Sequence, residues 1–402
     1  MFDTDEDLFT DEPTLIQEAI LLSDSYIPPR LIARYGEIKK VVKVLNPGLW
    51  RGIPDHCFIY GTTGTGKTVV TRYVLQRFAE KAKANDIQVV TAFVGCKDHT
   101  PTQIVGLIRE AVPLAATLPP RGLSISEYVH DICAALRETH CSLILVFDEI
   151  DALENTNILY QLTRAKANGE LANDQFITII GITNDTTWVE TLEPRIISSM
   201  HPKPILFKSY SAPQLTEILD GRKPAFKEGV VDDAVIPLCA ALAAKDHGDA
   251  RKAIQLLREA GEIAQAELAP MVMEEHVHAA VETIEVNTIE QLVMSLPGQA
   301  KMVLEAIATE IAAAGGATVQ TGEVYKRYQT VAKSYGADVV HRTRVAQLVT
   351  ELDMLGIISA PERRNGRGRT RKIHLASPPA AVMEMIERSY AEDGAWIPDE
   401  GE

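Results

Sequence analysis

Residues 61–68 read GTTGTGKT, with an apolar run, CFIY, before them and a helix-compatible run, TVVTRYVLQRFAEKA, after them. The octet fits G-x-x-x-x-G-K-[ST], a loop whose glycines let successive backbone N–H groups turn inward around phosphate oxygens while a lysine adds a point charge. A strand that feeds such a loop and then a helix leaves little choice of architecture, because it belongs to a parallel sheet covered by helices. The pattern names a nucleoside phosphate as ligand and leaves its use open.

Five short β-type runs lie between Cys57 and Tyr210: CFIYG, QVVTAFVGC, SLILVF, FITIIGITN and PILFKSY, with room for crossover helices between them. Beyond Tyr210 the β signal stops, and apolar residues recur at helical spacing in AVIPLCAALAAK, ARKAIQLLREAGEIAQAE and MEEHVHAAVETIE. That predicts a separate helical domain. From Ile289 onward KMVLEAIATEIAA, EVYKRYQTVAKSY and RTRVAQLVTELDMLGII predict three helices. The glycine-bearing basic stretch PERRNGRGRTRKIHL that follows completes a winged helix-turn-helix pattern. The expected divisions are an acidic tail (1–13), an α/β nucleotide-binding domain (14–207), a helical lid (208–288), a winged-helix DNA-binding domain (289–376) and a second acidic, poorly ordered tail (377–402).

Within the α/β part, Lys67 is expected to reach the outer phosphates and Thr68 to place its hydroxyl on Mg²⁺, with the following helix adding its positive dipole. LILVFDEID supplies the second half: an apolar strand ending in Asp148, which would hold the metal through water, and Glu149, placed to polarise an attacking water. GITND sets Asn184 at a strand end, where an amide can orient the water or the γ-phosphate. Arg195 in LEPRIISS is either an arginine finger for a neighbouring molecule's nucleotide or a surface cation in an ion pair. In GDARKAIQLL, Arg251 lies in the first turn of a helix with the Gly and Asp before it as entry turn and N-cap, so a lid cation could reach back to the γ-phosphate. The full set expected at the nucleotide is Gly61, Thr63, Gly64, Thr65, Gly66, Lys67, Thr68, Val69, Tyr210 and Arg222, with Thr68 and Asp148 as the metal-holding pair and ATP/ADP with Mg²⁺ as ligands.

His341, Arg342, Thr343 and Arg344 cluster at the start of a helix whose position is that of a recognition helix, which reads bases with its N-terminal residues. The stretch after it carries Arg363, Arg364, Arg367, Arg369, Arg371 and Lys372 against one acid, Glu362. Gly366 and Gly368 would let a hairpin tip enter a minor groove. The competing reading of this domain is a winged helix that grips a protein.

Forty basic against fifty-five acidic residues give the 402-residue chain a net charge of −15, which excludes coating nucleic acid with its whole surface but not a local basic site. Five cysteines without a C-x-x-C pair argue against a zinc knuckle or a disulfide framework. The start, MFDTDEDLFTDEPT, has neither a basic n-region nor an apolar h-region, and no later run approaches a membrane span. A cytoplasmic, nucleoid-associated protein with no membrane partner is the expectation. His276 and His278 point to different helix faces and make a poor metal pair, and no H-E-x-x-H or Ser-nucleophile motif occurs.

With these residues in hand, the chain resembles the archaeal origin-recognition and cell-division-cycle type replication initiators, AAA+ ATPases with a C-terminal winged helix, over about residues 14–376. The resemblance rests on YIPPRLIARYGEI, GTTGTGKT, VFDEID, GITND, LEPRIISS, GDARKAIQLLREAGEIA, LPGQAKMVLEAI, TGEVYKRY and RVAQLVTELDMLGII. It implies Walker A roles for Lys67 and Thr68 and Walker B roles for Asp148 and Glu149. Asn184 and Arg251 become the two sensors, and Arg195 the candidate finger. The insert PLAATLPPRGLSISEYVHDI matches the region with which that family touches DNA from its ATPase domain, and Arg121 is the candidate contact there; a turn shaped by Pro119, Pro120 and Gly122 is the alternative. Tyr35 and Gly36 follow Arg34 where the family more usually has an acidic residue. The implied function is an ATP-bound initiator that recognises origin duplex DNA through Arg121, Arg342, Thr343, Arg344, Arg364, Arg367, Arg369 and Arg371. It would recruit or load the replicative minichromosome maintenance helicase, hydrolyse ATP slowly, and assemble on DNA with itself or a relative. A sequence-specific transcription regulator with a sensory ATPase, and a clamp-loader-like remodelling motor, are the alternatives.

Overall fold

The computed structural model describes residues 15–23, 26–50, 52–113, 124–316, 318–365 and 368–392, the last two stretches with backbone alone at 362–365, 368–370 and 392. The chain divides into two compact units, Met1–Val277 and His278–Glu402. In the first, α1 (Tyr35–Leu45) precedes β1 (Cys57–Tyr60) and α2 (Lys67–Ala84). Then come β2 (Val89–Gly95), α3 (Pro101–Ala111), α4 (Ile125–Glu138), β3 (Ser142–Asp148), α5 (Asn157–Arg164) and β4 (Ile177–Thr183). Short α6 (Trp188–Thr191) and α7 (Pro194–Met200) lead to β5 (Lys203–Leu206). The strands form one parallel sheet in the order β2-β3-β4-β1-β5, so all five expected strands are present.

The central strands are buried on both faces, which is why they read as unbroken apolar runs. Leu143, Leu145 and Phe147 of β3 enter one core with Phe58 and the α3–α4 side, whereas Ile144 and Val146 enter the other with Val70, Val74 and Phe78 of α2. The carboxyl ends of β1, β3 and β4 therefore emerge along one edge, carrying the 61–68 loop, Asp148 and Asn184. Capping boxes start α3 at Thr100/Gln103 and α4 at Ser124/Glu127.

The lid is built from α8 (Ala212–Asp220), α9 (Val235–Lys245) and α10 (Ala250–Ala266). Residues 15–22, grouped with the α/β domain in the sequence reading, pack on this lid instead. Ile16 bridges Phe226, the Leu15 and Ile16 N–H groups donate to Gln265 Oε1 at 3.4 Å, and Leu15, Ile16 and Leu22 are buried.

α11 (Glu274–Ser295) carries the chain into the second unit, which holds α12 (Gly298–Ala313), β6 (Val319–Gln320), α13 (Thr321–Ser334), α14 (Arg342–Met354), β7 (Ile358–Ser359), β8 (Glu362–Asn365), β9 (Gly368–Leu375) and α15 (Pro379–Glu392). Antiparallel pairing of β9 with β6, β7 and β8 behind three helices is a winged helix. The tail assigned to 377–402 needs correction over α15. Val382, Met385, Ile386 and Tyr390 are buried in the same core as α12–α14. Their spacing is that of one helix face, and the acids between them hid it.

Candidate nucleotide site and DNA-facing surface

The 61–68 loop turns into α2 through Gly64 and Gly66, both at positive φ (70° and 81°), a conformation that a Cβ disfavours. Lys67 heads α2 and is 7% exposed. Its ammonium donates to Gly61 O (2.7 Å), Thr62 O (2.8 Å) and Asn184 Oδ1 (2.7 Å), so all three protons have acceptors. Burial lowers the Lys67 pKa to about 8, with Asp148 opposing the shift and Arg251 adding to it.

Thr68 Oγ1 donates to Asp148 Oδ2 at 2.9 Å, bringing the two expected metal-holding groups together. Glu149 follows in the left-handed region (φ 53°, ψ 48°), an uncommon setting for a bulky residue that re-aims it out of the strand. Asp151 and β4 are tied by the Thr183 hydroxyl, which donates to Asp151 Oδ1 at 2.6 Å. That contact fixes the Walker B turn against the residue before Asn184.

One cavity of about 1160 Å³ is lined by Thr63, Gly64, Thr65, Gly66, Lys67, Thr68 and Val69 together with Asp148, Glu149, Asn184, Tyr210, Arg222 and Arg251. The contributors come from the loop, two strand ends and the lid. Gly61 stands behind the loop as an acceptor for Lys67 rather than in the cavity wall. Arg222 is buried and donates to Leu21 O at 2.7 Å with its guanidinium over the Tyr26 ring, so much of its reach is spent on the N-terminal segment. Arg195 does not line this cavity. It is exposed, bonded to Glu193 at 2.7 Å and set over Tyr160.

Arg34, named from the sequence only as the residue before Tyr35 and Gly36, takes part in the site. Only 3% exposed, it donates to Thr65 O (3.0 Å) and Lys208 O (2.6 Å), and its guanidinium stacks 3.6 Å over the Tyr210 ring. It locks the loop to the chain that leaves β5. A lone arginine in an aperiodic segment gives no local signal of such a role.

In the second unit α14 is capped by His341, whose ring Nδ1 accepts from the Thr343 N–H at 3.3 Å. Arg342, Thr343 and Arg344 are exposed at that end, and Arg344 pairs with Glu351 at 3.0 Å. Arg371 on β9 donates to Thr350 Oγ1 at 2.8 Å, tying the hairpin to α14. The β8–β9 register sets Arg364 opposite Arg369, a placement of like charge that folding alone disfavours. Arg121 and Arg367 lie outside the described residues.

Three family models match the chain: an AAA domain over residues 54–182, a Cdc6 AAA+ ATPase-type lid domain over 216–282 and a CDC6 C-terminal winged helix domain over 291–385. It is 38% identical over 390 residues to ORC1-type DNA replication protein 1 of Aeropyrum pernix, covering 95% of this chain and 97% of that one. This chain belongs to the ORC1-type DNA replication proteins. An ORC1-type relative from Thermococcus kodakarensis is 39% identical over 91% of this chain and 89% of its own. Among solved structures, that of the Aeropyrum pernix ORC1 protein in complex with DNA superposes with a TM-score of 0.77 at 36% identity, covering 96% of this chain and 98% of that one. As an ORC1-type protein the chain is an AAA+ ATPase and a nucleotide binder. No helix among the described residues is long and apolar enough to cross a membrane.

Proposed function

We propose that this ORC1-type protein is an ATP-dependent replication initiator that binds origin duplex DNA and recruits or loads the replicative minichromosome maintenance helicase. ATP acts mainly as a conformational switch. The observation that carries the nucleotide half is the meeting of Lys67, Asp148, Glu149 and Asn184 from the sheet edge with Arg251 from the lid in one cavity.

Lys67 is the phosphate-binding cation, and an incoming γ-phosphate oxygen exchanges for the Asn184 amide as its acceptor. Asn184 and Arg251 thereby register whether a third phosphate is present. Glu149 takes the proton of the attacking water. The Thr68 and Asp148 oxygens suit Mg²⁺, a hard cation that would neutralise charge on the phosphates. The rest of its coordination shell would come from phosphate oxygens and water. Arg195, exposed and outside its own cavity, acts on a neighbouring molecule's nucleotide, which makes hydrolysis by a lone subunit slow.

On the DNA side, the helix α14 with Arg342, Thr343 and Arg344 reads bases, while Arg364, Arg367, Arg369 and Arg371 of the wing and Arg121 of the insert hold phosphates and groove. The protein works in the cytoplasm on the nucleoid. Mixing Arg195→Ala protein, whose own site is intact, with Glu149→Gln protein, whose Arg195 is intact, tests the shared site on origin-containing DNA. Hydrolysis by the mixture above either protein alone supports the finger; no gain removes it.

A further inference from the structure

The first turn of α10 meets the phosphate loop directly. The Ala250 N–H donates to Gly64 O at 3.2 Å, and a Cβ at Gly64 would overlap the Asp249 carboxyl group. Asp249 also caps the helix, its Oδ1 accepting from the N–H of Arg251 at 2.7 Å and of Lys252 at 3.4 Å. Behind it, Gly248 at φ 67° offers its carbonyl to the Tyr210 N–H at 3.2 Å, and the Tyr210 hydroxyl lies 2.6 Å from where a Gly66 Cβ would stand. Thus both loop glycines that turn the chain also admit groups from beyond β5, one from the lid and one from the segment leading into it.

Resting on the reading of Arg251 as a phosphate sensor, we infer that Asp249 is a positioning residue. It seats the lid helix on Gly64 and so fixes where the Arg251 guanidinium meets the nucleotide. Arg251 is exposed enough to swing, and a long side chain on a loosely held helix end loses its aim. Asp249 removes that freedom at the backbone by holding the Arg251 N–H, while the Gly64 contact sets the helix end against the loop that cradles the phosphates. A change of loop shape at Gly64 is passed to the lid through the Ala250 N–H and the Asp249 carboxyl group that meet it.

The test compares ATP turnover and ADP affinity for the full chain and for Arg251→Ala, Asp249→Ala, Asp249→Asn and the Asp249→Ala/Arg251→Ala double variant. Asp249→Ala should lower kcat about five- to tenfold, the size of a lost N-cap, with ADP affinity within about threefold of wild type. Asn caps as well as Asp, so Asp249→Asn should stay within about twofold in kcat. The double variant should match Arg251→Ala. If Asp249→Ala fails to fold, Asp249→Gly keeps the helix start and removes the carboxyl group; because Gly costs far less than Ala at an N-cap, its loss in kcat should be about twofold or less and should vanish on the Arg251→Ala background. Losses that multiply in the double variant, or wild-type turnover in Asp249→Ala beside an impaired Arg251→Ala, overturn the inference. Wild-type turnover in Arg251→Ala overturns the sensor reading itself, a separate failure.

Discussion

The two units carry their candidate residues in opposite ways. In the first, groups far apart in sequence converge and are already engaged: Lys67 has three acceptors, Thr68 holds Asp148, and Arg34 is buried against the loop. In the second, Arg342, Thr343 and Arg344 stand exposed on a single helix end, beside a hairpin whose register opposes two arginines. A nucleotide is small and always the same, which suits a preorganised site with buried cations such as Lys67 and Arg34. A duplex is large and presents its charge everywhere, which suits a reader with exposed cations, as Arg342 and Arg344 are.

Substitutions should separate the two halves by size of effect. The largest is expected for Glu149→Gln, which should cut ATP turnover about a hundred- to ten-thousandfold while leaving nucleotide affinity near wild type; normal turnover by this variant would remove Glu149 as the base. Lys67→Ala should weaken ATP binding at least about a hundredfold by equilibrium titration, because it deletes a buried charge that the phosphates require. Neither change should alter the salt dependence of non-specific duplex binding.

On the other side, replacing Arg364, Arg367 and Arg369 with alanine should weaken binding to every sequence about ten- to a hundredfold and flatten the log–log salt slope by roughly 2 to 3. Arg344→Ala should instead cost about 1–3 kcal/mol of discrimination at one base pair and relax preference there, read from competition among single-substituted sites. An equal loss on all sites would make Arg344 a phosphate contact.

The effect confined to the narrowest range of conditions is one of pH. With the Lys67 pKa lowered to about 8, its charged form declines above that pH, so ADP affinity should fall by up to about tenfold per pH unit between about 8 and 10. Binding there should take up a proton. Because the folded value lies below the unfolded one, the unfolded chain binds more protons between about pH 8 and 10.5, and this group's contribution makes the nucleotide-free protein more stable as pH rises through that window. Lys67→Arg, always charged, should abolish the pH slope in binding if it still binds ADP.

Much of this was legible in the chain. The strands, the phosphate loop and the Asp148–Glu149 pair are local patterns in which apolar period and punctuation coincide, and the loop and the pair line one cavity. What could not be read depends on contacts between distant segments. Arg34 reaches Thr65 and Tyr210 from an aperiodic stretch, and Asp249 meets Gly64 only because the lid folds back. The helix α15 was hidden for another reason. Glu384, Glu387 and Glu392 gave the segment the composition of a tail, although Val382, Met385, Ile386 and Tyr390 kept helical spacing and are buried.

The most direct measurement is recovery of fragments of the source genome by the ATP-bound protein at fixed salt, sequenced beside the Arg344→Ala/Arg367→Ala/Arg369→Ala variant as the non-specific floor. Enrichment of a few intergenic loci that share an element, lost in the variant, is the result expected of an origin-binding initiator. Uniform recovery, or none, would contradict it and make the winged helix a grip for a protein partner.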